Sequence, residues 1–174
     1  MKPTILALDL EGTLISNAIS QIPRPGLYQF LDRIHPLFNE LVIYTTVPED
    51  RFRSIATLLA REGSVPDWFA GLTYISWSGK TKDLRLISPR LGEVLLLDDH
   101  GPYFHPGQEH LWIELPLFGS PYLPSDDGLD LALHRLFDAV ENVNPTPGIA
   151  ATHGGMRPVF CVPPISNSIA TPDS

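Results

Sequence analysis

Four short stretches carry side chains that could do chemistry together: Asp9-Leu10-Glu11-Gly12-Thr13-Leu14, Thr45 with its neighbour Thr46, Lys82-Asp83-Leu84, and the acidic pair Asp98-Asp99. If Asp9, Glu11 and Asp98 meet at one point, their carboxylates repel one another unless a cation neutralises them. Carboxylate, carbonyl and water oxygens suit a hard divalent ion, and Mg²⁺ is the natural partner. A metal-loaded acidic cluster attracts a phosphoryl dianion, which the Lys82 ammonium and the Thr45 hydroxyl could hold from the other side. Thr46 competes with Thr45 for that role, and Asp99 stands next to Asp98. Asp9 is then set to attack phosphorus and form an aspartyl phosphate, while Glu11 protonates the leaving oxygen and later takes a proton from water. Gly12 lets the backbone turn sharply and approach a substrate closely.

An open parallel sheet can bring such distant stretches together, because its ligands bind outside the carboxyl ends of the strands. Thr4 to Leu8 is an apolar run that ends at Asp9, Leu41 to Tyr44 runs into Thr45 and Thr46, Val94 to Leu97 runs into Asp98 and Asp99, and Leu111 to Ile113 runs into Glu114. Residues 72–75 make a further short strand candidate. Helical spacing lies between these runs, with Leu27, Phe30, Leu31 and Ile34 on one face of 26–34 and Phe52, Ile55, Leu58 and Leu59 on one face of 50–61. Pro25 and Pro48 fit the starts of these helices. A last amphipathic helix is expected over 129–140. Strands alternating with helices predict an α/β fold with a mainly parallel central sheet, a Rossmann-like three-layer sandwich.

Together these residues resemble the haloacid dehalogenase superfamily, whose first motif reads Asp-x-Asp-Gly-Thr. Within it the chain resembles the phosphatases related to the nuclear LIM interactor-interacting factor, of the carboxy-terminal-domain phosphatase type. The resemblance spans roughly residues 4–115 and includes DLEGTL, Arg24-Pro25-Gly26-Leu27 with Phe30-Leu31, VIYTT, Lys82-Asp83-Leu84, Asp98 in LLLDD and Phe104-His105-Pro106. It implies Asp9 as nucleophile and metal ligand, the Glu11 backbone carbonyl as a second ligand, Asp98 as a third, and Thr45 and Lys82 as phosphate-binding groups. One departure is Glu11 where the motif has a second Asp. The added methylene moves the carboxyl by about 1.5 Å, and misplacement on that scale can lower a rate about 10²-fold. A module that binds a phosphorylated ligand with weak or no turnover is therefore the alternative expectation. A receiver-like phosphoacceptor fits less well, since there the acidic pair comes early and the lysine last. The segments from Thr13 to Thr45 and from Thr46 to Lys82 are largely used by the expected helices and strand, leaving little for a cap domain. An uncapped site admits a phosphoprotein as well as a small phosphorylated molecule.

The chain has 174 residues, 43 % hydrophobic and 18 % charged, enough for one folded domain with a core. A formal net charge of −8 opposes nucleic acid binding. Cys161 is the only cysteine, which excludes an internal disulfide and a zinc site of paired thiolates. Asp9 and Glu11 interrupt the first apolar run before a secretory segment could form, and no run reaches the ~18 residues of a membrane span. The expectation is a soluble, cytoplasmic protein with no membrane partner. Gly79-Lys80-Thr81 lacks the earlier glycine of a phosphate-binding loop, that position being Tyr74. Trp68, Trp77 and Trp112 read as core or rim aromatics, with the alternative that Trp77, near an open site, grips a peptide. Residues 1–143 are assigned to the folded domain. The stretch 144–174, with six Pro, three Gly and no apolar period, is expected to be a poorly ordered tail unless Val159 to Ile165 docks on the domain.

Overall fold

The computed structural model describes residues 2–141, so the expected tail at 144–174 and Cys161 lie outside the described residues. Five strands form one sheet in the order β3-β2-β1-β4-β5, every neighbouring pair parallel. They are β1 (Ile5–Leu8), β2 (Glu40–Ile43), β3 (Thr73–Tyr74), β4 (Val94–Asp98) and β5 (Trp112–Glu114), and the helices are α1 (Leu27–Ile34), α2 (Glu49–Arg61) and α3 (Gly128–Glu141). The result is the α/β, Rossmann-like architecture that the alternation of elements implied. β1 and β4 read as unbroken apolar runs because both their faces are covered, and Leu6, Leu8, Leu95 and Leu97 are all buried.

The helices follow from their apolar spacing. α1 buries Leu27, Phe30, Leu31 and Ile34 and packs against α3. α2 starts after Pro48, carries Glu49 and Asp50 in its first turn and Arg61 in its last, and so matches charge to the helix dipole at both ends. It packs on the short 3-10 segment Asp67–Gly71.

Register is what positions the site. Leu8 pairs with Ile43 on one side and Leu97 on the other, so Asp9, the residues after β2, and Asp98 emerge together from one end of the sheet. The segment between β1 and α1 is a loop pinned by the Ile15–Pro23 bridge, and the one between β3 and β4 holds the 3-10 turn Leu84–Leu86. The site is therefore bordered by loops, as the short spacings led one to expect of a chain with a minimal cap.

Candidate active site

Lys82 stands at the centre of the polar cluster. Its Nζ donates to Asp9 Oδ1 at 2.7 Å and to Asp98 Oδ2 at 2.6 Å, and its side chain is fully buried. The lysine belongs to no main strand; a bridge to Phe104 and a backbone bond from its N–H to Tyr103 O at 2.7 Å fix it. Asp98, the last residue of β4, accepts His100 N–H on its other oxygen at 2.7 Å, while its own carbonyl accepts Trp112 Nε1–H at 2.7 Å. Carboxylate oxygens of Asp9, Asp98 and Asp99 lie within 4.8 Å of one another. One ammonium thus bonds two carboxylates of a cluster of three. The donor set is all oxygen and its negative charge exceeds its own counter-ion, which fits a hard divalent cation such as Mg²⁺.

The loop after β1 is held from behind. Gly12 has φ +73°, and a Cβ there would stand 2.7 Å from an Asp99 oxygen and 2.6 Å from Leu117 Cδ1, so the position demands glycine both for conformation and for space. Thr13 Oγ1 lies 2.8 Å from Asp99 Oδ1 and 3.3 Å from Asp9 Oδ2, and accepts Asp99 N–H at 3.3 Å. Its single proton goes to the nearer oxygen, leaving Oδ2 the less engaged of the two Asp9 carboxylate oxygens, since Oδ1 takes the Lys82 bond. The Arg24 side chain, fully buried, donates from Nη1 to Thr13 O at 3.2 Å and Gly12 O at 3.4 Å, and is fork-bonded to Asp126 at 2.6 and 3.1 Å. Gly128, the first residue of α3, leaves room for that guanidinium, since a Cβ would sit 1.9 Å from Arg24 Nη2.

Glu11, Thr46, His100 and Tyr103 join Asp9, Asp98 and Asp99 around a cavity of about 190 Å³. Glu11 is outside the carboxylate cluster proper, and its Oε1 accepts the Ala18 amide. Thr45 is buried, its Oγ1 accepting Val47 N–H at 3.4 Å, and it borders a neighbouring cavity, whereas exposed Thr46 borders both. The structure thus gathers Asp9, Lys82, Asp98 and Asp99 tightly and sets Glu11, Thr45 and Thr46 around them.

Electrostatics follow from this crowding. Burial works to lower the Lys82 pKa, but the charges and hydrogen bonds of Asp9 and Asp98 outweigh it and raise the ammonium above its ordinary value. Burial, helped by the charge of Asp9, pushes Asp98 up to about 6 against the opposing pull of Lys82. Asp99 also rises, through burial first, while its Thr13 bond works the other way.

Thr13, Arg24 and Asp126 were given no role by sequence reasoning. Thr13 and Arg24 sit inside motifs that were legible; Asp126 is 102 positions from Arg24 and carries no local signal.

Among curated proteins no match is found. The family model described as NLI interacting factor-like phosphatase matches residues 4–146. That span contains the whole sheet, the DLEGT loop, Lys82 and the acidic pair, and the chain therefore belongs to the NLI interacting factor-like phosphatases, carboxy-terminal-domain phosphatase relatives in the haloacid dehalogenase superfamily.

Proposed function

We propose that the protein is a Mg²⁺-dependent phosphomonoester hydrolase that works through an aspartyl phosphate on Asp9. Family membership supports phosphatase chemistry. The single observation that carries the finer reading is the buried Lys82 ammonium lying between Asp9 and Asp98, with Asp99 in the same carboxylate cluster, at the carboxyl end of a parallel sheet. Asp9, Asp98 and the Glu11 backbone carbonyl would hold the metal, with Asp99 beside them. When bound, Mg²⁺ supplies charge neutralisation and Lewis-acid polarisation of phosphoryl oxygens.

Asp9 Oδ2, the oxygen that Lys82 leaves free, attacks phosphorus as the bond from phosphorus to the leaving oxygen breaks. That oxygen takes a proton from Glu11. A water oxygen then attacks the same phosphorus and gives a proton to Glu11, the acyl phosphate bond breaks, and Asp9 returns as a carboxylate with inorganic phosphate released. Lys82, held charged by its two partners, balances the phosphoryl oxygens, and Thr45 with Thr46 bounds the phosphate on the β2 side. The substrate is a phosphorylated protein or small molecule.

The assay is hydrolysis of p-nitrophenyl phosphate with Mg²⁺. Turnover should vanish in Asp9→Asn and on chelation, and return when Mg²⁺ is restored; equal rates for wild type and Asp9→Asn would remove Asp9 as nucleophile. Glu11→Gln should slow the reaction roughly 10²- to 10⁴-fold.

A second reading, a phospho-ligand binding module with weak turnover, is favoured by one contact. One oxygen of the Glu11 carboxylate, Oε1, is already engaged by the Ala18 amide, which leaves only Oε2 to move protons and restricts its reach. Phosphopeptide binding without hydrolysis under the same Mg²⁺ conditions would select it.

A further inference from the structure

Across a rim formed by Thr46 and Tyr103, the acidic cavity adjoins a second one of about 240 Å³, lined by Thr45, Thr46, Tyr74, Trp77, Gly79 and Tyr103. Its walls come from the loop after β2, the end of β3, the strand-to-lysine segment and the turn Gly101–Tyr103. Half of the lining residues are aromatic, and their polar groups are largely spoken for. Trp77 Nε1–H donates to Thr45 O at 2.9 Å, and the Tyr74 hydroxyl donates to Val47 O at 2.8 Å. What Trp77 and Tyr74 can offer a ligand is ring surface. Trp77 and Tyr103 meet edge to face, with centroids 6.0 Å apart and planes at 73°, which makes a corner rather than a flat wall. The same Tyr103 ring has Lys82 Nζ 5.7 Å from its centroid, so one side chain joins the cation that faces Asp9 to the aromatic cavity.

The volume lies below the ~300 Å³ at which whole-ligand sites begin, yet it exceeds the room of several waters at ~30 Å³ each. A cavity of this size and lining, continuous with an anion site, suits one part of a larger substrate. We infer that it seats a flat ring carried by the leaving group, so that the preferred phosphomonoester bears an aromatic ring beside its ester oxygen, as in an aryl phosphate or a phosphorylated tyrosine. This rests on the phosphatase reading above and names its substrate class. The ring enters the Trp77–Tyr103 corner against Tyr74 while the phosphate stays with Asp9 and Lys82.

Calorimetric titration of the Mg²⁺-loaded protein with methylphosphonate and benzylphosphonate tests it, because neither compound has an ester bond to hydrolyse and leaving-group reactivity cannot intervene. Benzylphosphonate should bind about tenfold more tightly. That ratio should fall to within about threefold in Trp77→Ala and Tyr74→Leu, and be kept in Trp77→Phe, which retains a ring. A wild-type ratio near one overturns the ring pocket while methylphosphonate binding still upholds the phosphate site; binding of neither overturns both. A ratio that survives in Trp77→Ala also overturns it, and should that variant not fold, the wild-type ratio alone decides. A peptide carrying phosphonomethylphenylalanine then assigns the source. Affinity above that of benzylphosphonate supports a phosphotyrosyl protein, and equal affinity supports a small aryl phosphate.

Discussion

Two buried cations sit within reach of the same loop after β1, and they are built differently. Arg24 meets one carboxylate, Asp126, and donates from Nη1 to Gly12 O and Thr13 O, so its charge is matched and four of its five N–H donors are used. Lys82 meets two carboxylates with a third close by, and its compact ammonium leaves the cluster with excess negative charge. The first group is complete without a ligand and acts as a brace between α3 and the loop. The second is incomplete, and an incomplete buried charge cluster at a strand end is where a metal and a phosphate can be bound. Burial alone does not separate scaffold from chemistry; charge closure does.

The largest effects should come from the incomplete cluster. Lys82→Met leaves Asp9 and Asp98 facing each other without their cation, and should lower metal-free stability by about 3–5 kcal/mol, read by urea unfolding. Turnover should drop at least ~10²-fold, since the phosphoryl oxygens lose their fixed positive charge. Saturating Mg²⁺ should recover part of the lost stability by binding the folded state, worth about 2.7 kcal/mol at a hundred times its Kd. Breaking the brace should behave otherwise. Arg24→Met strands Asp126, which is partly solvated, and should cost about 2–3 kcal/mol that Mg²⁺ restores no better than it stabilises wild type. Equal magnesium rescue of the two variants would erase the distinction between them.

How far this difference was readable in the sequence depends on where each partner came from. Asp9, Asp98 and the threonines after β2 each close an apolar run, so strand periodicity and the rule for parallel sheets locate them together. Lys82 belongs to no main strand; only its place in the Lys82-Asp83-Leu84 triplet of the family resemblance pointed to it. Most strands and helices were legible for the same reason, since their apolar runs and spacings are buried, but Leu58, read onto the inner face of α2, is exposed while Ala56 is buried in its place, and the strand expected over 72–75 is only Thr73–Tyr74, an edge strand that is not buried. Arg24 was visible as part of a motif but its burial was not, because Asp126 arrives from the far end of the chain ahead of α3. The aromatic cavity was foreshadowed by Trp77 alone. Tyr74 and Tyr103 reach it from β3 and from the turn after β4, a meeting that tertiary structure creates.

The smallest effect belongs to a third pair, Asp83 with Arg85, which lies beside Lys82 in the chain but faces water. Arg85 Nη2 is 2.7 Å from Asp83 Oδ2, with side chains 55 % and 23 % exposed, and Gln108 Nε2–H also donates to Asp83 at 2.7 Å. The Arg85 hydrogen bonds above all hold the Asp83 carboxyl well below the usual carboxylate range against the opposing effect of burial, with the Gln108 bond adding to the pull. A depressed folded pKa means that the unfolded chain takes up the proton first. The stabilisation is therefore complete above the ordinary carboxylate pKa near 4 and fades as pH falls below it. Solvent screening keeps it small, and Asp83→Asn should cost about 0.5–1 kcal/mol at pH 7 and less at pH 3, measured as urea midpoints at both pH values. If Asp83→Asn proved as damaging as Lys82→Met, solvent exposure would not be what separates a surface pair from the buried ones, and charge closure would lose its claim to mark the site.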